Sequence, residues 1–283
     1  GAEILIVPNG SPFEEGKFDV RLNHAVGRVT ETELPLVYVN QVGGQDDLVF
    51  DGGSFVLNGD CSLALQMPTF ESGLVISEWK LEGDQWVCAL GARVAPHEGL
   101  GAIYRTMTLG LRDYVNKNRF PGVVLGLSGG IDSALSAAVA VDALGPERVW
   151  CIMLPSKYSS DHSLKDAVDC AELLQCRLDE VAIEPAVNAY ETMLEGLFEG
   201  REPDITEENI QSRARGMTLM AISNKFGHMV LTTGNKSEMS VGYATIYGDM
   251  CGGFSVLKDV YKITAFELSD WRNQQRPEIA LGP

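Results

Sequence analysis

The sequence lacks the features of several large classes of protein. Its 22 lysines and arginines are outnumbered by 39 aspartates and glutamates, and the net charge of −17 disfavours binding to nucleic acid or to an anionic membrane surface. No apolar run approaches the roughly 20 residues that are needed to span a bilayer. No charged segment followed by an apolar leader opens the chain. These absences predict a cytoplasmic protein with no nucleic-acid or membrane partner.

Cysteine and histidine are also sparse and scattered. The six cysteines form no Cys-x-x-Cys pair and the four histidines lie far apart, so no zinc site is predicted. Cys151 lies in an apolar strand-like run, and Cys170 lies on an apolar helix pattern. We therefore interpret the cysteines as buried, inert thiols in a reducing compartment.

What is present is an ordinary globular composition. The 283 residues are 45% hydrophobic and 22% charged, which excludes a disordered chain, a collagen-like repeat or a coiled coil. Up to about residue 95 the chain consists of short β-like runs, interrupted by one helix pattern at Arg21, Ala25, Val26 and Val29. The predicted strands of this part are 4–7, 36–39, 48–50, 54–57 and 74–79.

A short segment typical of a loop, residues 95–99, contains Pro96 and Gly99 and separates this first part from the rest of the chain. An amphipathic helix is predicted next, over residues 101–118. We therefore place a domain boundary near residue 97, which divides the chain into domains 1–97 and 98–283.

From Gly122 onward, strands and helices alternate. The continuous apolar run at 123–127 is typical of a parallel strand that is covered on both faces. Alternation of this kind predicts an α/β fold, a doubly wound parallel sheet whose ligand site lies at the carboxyl ends of the strands. The other predicted strands are 149–154, 178–183 and 229–232. The predicted helices are 132–144, 163–175 and 206–225, and Asp204 and Glu207 form a capping box before the last.

The strongest local motif is the segment LSGGIDS at residues 127–133, between the first of these strands and an Ala-rich helix. Gly129 and Gly130 let backbone N–H groups approach an anion closely. Ser128 and Ser133 add hydroxyl donors, and the helix start adds a positive partial charge. The segment is neither a Walker A loop, because no Gly-Lys-Ser/Thr follows the glycines, nor a Gly-x-Gly-x-x-Gly motif. It predicts a phosphate-binding loop.

Asp132 opens the helix that follows this loop. It could serve only as a favourable negative charge at a helix start. A carboxylate beside bound phosphates, however, needs a metal ion to offset the repulsion, so we favour Mg²⁺ ligation by Asp132.

The Ser-Gly-Gly-x-Asp-Ser pattern after a strand resembles the pyrophosphate loop of the ATP pyrophosphatase group, which has an adenine nucleotide alpha-hydrolase-like fold. Members of that group cleave ATP between the α and β phosphates and transfer AMP to an oxygen of the substrate. NAD synthetases, GMP synthetases, asparagine synthetases and tRNA-modifying enzymes all belong to it, so the loop alone leaves the substrate open.

Segments further along the chain resemble the NAD synthetases specifically, and the resemblance is collinear from about residue 100 to the end. It implies ATP-dependent amidation of deamido-NAD to NAD through an adenylated carboxylate. The segments are MLPSKYSS at 153–160 followed by Asp166-Ala167, NIQSRAR at 209–215, TTGNKSE at 232–238, GYATIYGD at 242–249, KDVYK at 258–262 and WRN at 271–273.

The resemblance also implies roles for single residues. Asp132 and Lys262 would be catalytic, with Lys262 meeting the phosphates or the charge of the transition state, although a solvated surface lysine is the alternative. Asp132 and Glu238 would bind Mg²⁺, although Glu238 could be only a helix-start carboxylate. ATP would contact Ser128, Gly129, Gly130, Asp132, Ser133 and Thr233. Deamido-NAD would contact Asn209, Arg213, Glu238, Asp249 and Lys262, at a subunit interface in a homodimer or larger oligomer.

The first part of the chain is similar to the later half of the nitrilase-like glutaminase domain, an α/β/β/α sandwich, of the glutamine-dependent branch. The segments that carry this similarity are NGSPF at 9–13 and VGGQDDLVFDG at 42–52. Ser11 and Lys17 would lie near bound glutamine, with a turn-capping role as the alternative for Ser11. The family's Glu-Lys-Cys triad falls outside this chain, since no cysteine precedes Cys61. We expect a fragment of a longer enzyme rather than a natural short form, with the C-terminal tail also missing.

Two other functions remain open at this point. One is a different adenylating enzyme of the same fold, such as GMP synthetase or a tRNA-thiolating enzyme. The other is a nitrilase-type amidase that carries a nucleotide-sensing domain. The acidic charge disfavours the tRNA-modifying function, and the pairing of Asp132 with Glu238 disfavours the amidase.

Overall fold

A computed structural model describes residues 1–156 and 159–275. The chain forms two compact units, Gly1–Asp113 and Tyr114–Pro283. They divide within the helix Gly99–Lys117, beyond the predicted boundary near residue 97. The first part of this helix packs within the first unit, because the Asp113 carboxylate accepts the Gly44 N–H at 2.8 Å.

The first unit is built on a mixed four-stranded sheet. Its strand order is β1-β2-β5-β6; β1 and β2 are parallel, and the other two pairs are antiparallel. Two antiparallel hairpins, β3-β4 and β7-β8, accompany it. The strands are β1 (Leu5–Asn9), β2 (Leu36–Asn40), β3 (Val42–Gln45), β4 (Leu48–Asp51), β5 (Phe55–Leu57), β6 (Leu63–Gln66), β7 (Trp79–Glu82) and β8 (Gln85–Cys88). The helices are α1 (Lys17–Thr32) and α2 (Gly99–Lys117).

Helix α1 closes one face of this sheet. Its apolar positions Ala25 and Val29 are buried against Leu36, Phe55 and Leu57. The helix prediction from residues 21–29 is therefore confirmed, since the three- and four-residue spacing places these side chains on one face.

The predicted strand at 74–79 is wrong. Only Trp79 belongs to a strand, and Leu74 and Ile76 are 91% and 88% exposed. β-branched and apolar residues favour strands only where a neighbouring strand and a packed face are available, and residues 74–78 have no ladder partner among the described residues.

The second unit confirms the doubly wound parallel sheet. All five strands are parallel, in the order β11-β10-β9-β12-β13. Its strands are β9 (Val123–Gly126), β10 (Val149–Met153), β11 (Arg177–Glu180), β12 (Met229–Thr232) and β13 (Phe254–Ser255). Its helices are α3 (Ile131–Leu144), α4 (Asp161–Leu174), α5 (Glu184–Phe198), α6 (Ile205–Phe226), α7 (Lys236–Val241) and α8 (Lys262–Gln275), with a 3-10 turn at Pro146–Arg148.

The strand order identifies where a ligand would bind. From β9 the chain first builds outward on one side, to β10 and β11, and then on the other side, to β12 and β13. The order therefore reverses between β9 and β12, and open α/β sheets bind ligands at the carboxyl ends of strands at such a switch point. The loops that follow β9 and β12 are the segments 127–130 and 233–235.

Helix α3 is the most buried helix of this unit, because its run of small residues lets it pack closely. A buried ion pair joins it to α8, in which Arg272 donates two hydrogen bonds of 2.7 Å to Asp142. The sequence patterns did not predict α5, α7 or α8. The strand predicted at 178–183 is also too long, since it ends at Glu180 and Ile183 lies at the start of α5.

Candidate active site

The segment 127–133 forms a tight loop at the carboxyl end of β9. The loop is closed by serine hydroxyls: the Ser128 N–H donates to Ser133 Oγ at 3.2 Å, and Ser133 Oγ donates to the Gly130 carbonyl at 2.9 Å. The Gly130 N–H donates to Ser128 Oγ at 3.2 Å. Gly130 is the N-cap residue of α3. The loop therefore joins backbone N–H groups, two hydroxyls and a helix start, as an anion site requires.

Gly129 is required at its position for two reasons. Its φ of +82° lies in the left-handed region, which favours glycine. A Cβ atom there would also lie 2.2 Å from the Ser163 carbonyl oxygen, in the first turn of α4. The loop is thus packed directly against the start of the next helix.

Asp132 is the centre of the polar network beside the loop. Its Oδ2 forms an ion pair with Lys262 Nζ, and its Oδ1 accepts a hydrogen bond of 3.2 Å from Asn235 Nδ2. Lys262 is the first residue of α8, and its N–H donates to Ser237 Oγ at 3.0 Å. The two predicted catalytic residues, Asp132 and Lys262, are therefore in direct contact although they lie 130 positions apart.

Glu238 lies at the start of α7, in a capping box. The Asn235 N–H donates to Glu238 Oε2 and the Glu238 N–H donates to Asn235 Oδ1, each at 3.1 Å. The alternative interpretation as a helix-start carboxylate therefore describes its position correctly. Thr233 directly follows β12 at the same sheet edge as the loop, since Met229 lies opposite Val123.

The residues present fit a magnesium ion. Asn235 contacts both Asp132 and Glu238, so two carboxylates lie on either side of one buried amide at the edge of the loop. Mg²⁺ in nucleotide sites is commonly held by one or two carboxylates together with phosphate oxygens and water. Within residues 1–156 and 159–275, no group of three or more His, Cys, Asp or Glu side chains could hold a metal ion by itself.

Of the five residues predicted to bind the dinucleotide, Glu238 and Lys262 lie in the network around Asp132, whereas the other three lie together at a separate place, where α6 meets the loop 242–252. Asn209 Oδ1 accepts a hydrogen bond of 2.9 Å from Thr245 Oγ1, and Arg213 Nε donates to the Ile246 carbonyl at 3.2 Å. Asp249 Oδ1 accepts the Thr245 N–H at 2.7 Å. Each of these side chains therefore makes a contact within the protein, while Arg213 and Asp249 are also exposed and Asn209 is partly exposed.

A largely apolar groove of about 1030 Å³ runs beside this cluster. Arg213, Met217, Tyr247 and Met250 line it, and Met217 and Tyr247 are 66% and 77% exposed. Large apolar side chains at such exposure, with polar groups beside them, mark a surface that binds a partner or a ligand.

Comparisons with known proteins show which family the chain is similar to. A protein-family model described as NAD synthase matches residues 103–281. Glutamine-dependent NAD(+) synthetase of Rhodobacter capsulatus is 56% identical over 273 residues, which cover 96% of this chain and 50% of that protein. The structure of glutamine-dependent NAD+ synthetase from Acinetobacter baumannii, in complex with ADP, has a TM-score of 0.91 and 46% identity, covering 99% of this chain and 54% of that one.

The chain belongs to the NAD synthase family. NH3-dependent NAD synthetase from Campylobacter jejuni is also similar in structure, with a TM-score of 0.57 and 30% identity over 64% of this chain and 76% of that one. The family membership confirms the fold and favours neither the GMP synthetase nor the amidase alternative. The chain spans about half the length of the relatives it matches.

The family match covers the loop, Asp132, Lys262 and the cluster where α6 meets the loop 242–252, whereas Ser11 and Lys17 precede it. Ser11 is held in place within the first unit: its Oγ accepts Arg21 Nε at 3.0 Å, and its N–H donates to Asn40 Oδ1 at 2.9 Å. Arg21 itself is buried and paired with Asp51. Lys17 pairs with Glu14. These contacts leave the glutamine-binding assignment of Ser11 and Lys17 a prediction.

Sequence reasoning missed Asn235, the residue that contacts both Asp132 and Glu238. The signal was available in the Asn-x-x-Glu spacing of residues 235–238, which is a capping-box pattern. Arg215 donates to the Leu154 carbonyl at 3.3 Å and to Ser156 Oγ at 3.4 Å. Lys157 and Tyr158 of the segment 153–160 lie outside the described residues.

Proposed function

We propose that the protein catalyses ATP-dependent amidation of deamido-NAD to NAD, as a carbon–nitrogen ligase. The observation that carries the proposal is the contact of Asp132 with both Lys262 and Asn235, beside a phosphate-type loop at the switch point of the sheet. Two segments more than 100 residues further along the chain converge there on one carboxylate. The membership of the NAD synthase family supports the same activity.

ATP would bind with its phosphates on the loop. The Gly129 N–H and the Ser128 hydroxyl would donate to phosphate oxygens, and the Gly130 N–H and the Ser133 hydroxyl would exchange their contacts within the loop for phosphate oxygens. The start of α3 would favour the negative charge of the phosphates. Thr233, at the end of the neighbouring strand β12, would donate from the other side of the switch point. The ADP complex of the Acinetobacter baumannii relative supports nucleotide binding.

The chemistry requires an activated carboxylate, because a free carboxylate is a poor electrophile towards ammonia. A carboxylate oxygen of deamido-NAD would attack the α-phosphorus of ATP, and pyrophosphate would leave with the electron pair of the P–O bond. Ammonia would then attack the acyl carbon of the adenylate and AMP would leave. Lys262 would stabilise the negative charge that develops on the phosphates, and Asp132 holds its ammonium group in position.

Asp132 and Glu238 would hold Mg²⁺, which when bound neutralises phosphate charge and orients the phosphates. Asn235 would fix the separation of these two carboxylates, because its amide contacts Asp132 and its backbone and side chain contact Glu238.

Deamido-NAD would lie against Asn209, Arg213 and Asp249, with Glu238 and Lys262 at its reactive end. The exposed apolar residues Met217 and Tyr247 beside this cluster support a homodimer or larger oligomer whose interface includes the dinucleotide site. Ser11 and Lys17 would contact glutamine, the nitrogen donor of the whole protein. No helix in the described part of the chain is long and apolar enough to cross a membrane, and the demand for ATP favours the cytoplasm.

The test incubates the full-length protein with ATP, Mg²⁺, deamido-NAD and either ammonium or glutamine, and measures NAD and AMP. Equal amounts of both products are expected. Asp132→Asn is expected to abolish synthesis from both nitrogen sources and to leave glutamine hydrolysis intact. Asp169→Asn, which removes an exposed carboxylate paired with Lys165 on α4, is the matched control and should keep full activity. Absence of both products with either nitrogen source would refute the proposal.

A further inference from the structure

Three cysteines lie close together where α4 ends and β11 begins. Cys151 Sγ, on the interior strand β10, lies 3.7 Å from Cys176 Sγ, in the short connection between α4 and β11. Cys170, on the last turns of α4, is near enough to interact electrostatically with both. All six cysteines of the chain are free thiols in the structure, but only Cys88 and Cys151 are buried, so the prediction that all are buried is wrong for the other four.

The Cys151–Cys176 contact makes the two thiols chemically different. The hydrogen bond between the two thiols lowers the pKa of Cys176. The same hydrogen bond, together with burial, raises the pKa of Cys151. Burial raises the pKa of Cys170 to about 11. Because the thiolate is the reactive form, Cys176 is the nucleophile of the cluster, and it is the only one of the three with both partial exposure and a favoured thiolate.

We propose that Cys151 and Cys176 form a reversible disulfide when the protein encounters a hydroperoxide. The Cys176 thiolate attacks the peroxide, the O–O bond breaks, and Cys176 becomes a sulfenic acid. The Cys151 sulfur then attacks the Cys176 sulfur, the S–O bond breaks, and the leaving hydroxide takes the Cys151 proton as water. Two thiols lose two electrons in total, and the hydroperoxide is reduced to an alcohol (or water) and water.

The bond requires a movement that the structure permits. The two sulfur atoms must approach from 3.7 Å to the disulfide distance of about 2.05 Å. Cys151 is fully buried in a strand with neighbours on both sides, so it cannot shift. Cys176 lies in the connection between the C-cap of α4 and β11, so the movement falls on this connection and is passed to the helix end to which it is joined.

Helix α4 connects this cluster to the phosphate loop. Its first turn provides the Ser163 carbonyl, which leaves no space for a side chain at Gly129. A displacement of the C-terminal end of α4 would therefore displace the phosphate loop as well. In a preorganised site, a misplacement of about 1 Å can lower the reaction rate by two orders of magnitude. We expect the oxidised protein to bind ATP about tenfold more weakly, an effect that rests on the proposed function.

The first experiment treats the native full-length protein with hydrogen peroxide and maps its disulfides by mass spectrometry. A loss of about 2 Da and one linked peptide pair containing Cys151 and Cys176 are expected. Cys176→Ser should abolish the link, and Cys151→Ser should stop the reaction at a sulfenic acid on Cys176 that dimedone traps. Cys170→Ser is the matched control from the same cluster and should keep the link. A link through Cys170, or no link between Cys151 and Cys176, would overturn the proposal.

The second experiment measures the dissociation constant of ATP with Mg²⁺ for reduced, oxidised and dithiothreitol-treated protein. Weaker binding after oxidation, reversed by dithiothreitol and absent in Cys176→Ser, is expected. Equal binding by the oxidised and reduced forms would refute the connection through α4. Failure of the reduced protein to bind ATP would instead refute the proposed function, and the disulfide map would stand independently of it.

Discussion

Replacing Gly129 by alanine tests the phosphate loop most directly. The residue adopts a φ of +82°, and for an L-residue such left-handed backbone costs about 1–2 kcal/mol. The new Cβ would lie 2.2 Å from the Ser163 carbonyl oxygen and must move to at least 3.0 Å, so the loop and α4 must separate by 0.8 Å or more. Overpacking of this kind adds about 1–3 kcal/mol. The expected loss of stability is therefore about 2–5 kcal/mol.

The displacement should also weaken ATP binding, because the loop's N–H groups would no longer converge on the phosphates. A shift of nearly 1 Å in a preorganised site corresponds to a loss of affinity of up to about 100-fold. ATP titration by calorimetry measures this loss, and urea unfolding of the same samples measures the stability. The affinities are compared only if the circular dichroism spectrum of the variant is unchanged, which shows that the variant is folded.

Gly130→Ala is the matched control, since it makes the same change one residue further along the same loop. Gly130 has an ordinary φ of −83°, and a Cβ there would meet only Ser128 Oγ, at 3.4 Å. This variant should lose less than about 1 kcal/mol, as expected for a site without strain. If the two variants bound ATP equally well, the reasoning about the approach of Gly129 to Ser163 would be refuted.

Three further predictions concern other parts of the molecule. Asp142→Ala removes the carboxylate that Arg272 binds with two buried hydrogen bonds, so urea unfolding should show a loss of about 3–5 kcal/mol; a loss below 1 kcal/mol would contradict this. Asn235→Ser should keep the N-cap of α7, and hence stability within about 0.5 kcal/mol, but lose the hydrogen bond to Asp132 and lower kcat at least tenfold; an unchanged kcat would exclude a positioning role. Burial, with a further contribution from Arg105, lowers the pKa of His97 from its ordinary 6.5. The folded protein therefore favours neutral His97, and the stability that this gives is complete above pH 6.5, the pKa of the unfolded chain. It is lost as the pH falls through the lower pKa of the folded protein. The melting temperature should therefore fall less between pH 7.5 and 5.5 in His97→Gln than in the wild type, and equal falls would contradict the assignment.

Local patterns in the sequence predicted the elements whose cause is itself local. The continuous apolar run of β9, the small residues of α3 and the Asp204 capping box each depend on neighbouring residues, and the structure confirms all three. The segment 127–133 predicted a phosphate-type loop for the same reason, because its glycines and serines close the loop among themselves. Where a local pattern lacked a tertiary partner, as at residues 74–79, the prediction was wrong.

The sequence by itself therefore determined the alternating strands and helices, the loop chemistry and the resemblance that suggested Asp132 and Lys262. Only the tertiary structure decided that these two side chains touch, since 130 residues separate them and the strand order brings them together. Asn235, 103 positions from Asp132, and the Cys151–Cys176 contact were decided in the same way. Local propensity acts over a few residues, whereas these contacts depend on which strands become neighbours, and burial of the whole sheet determines that order.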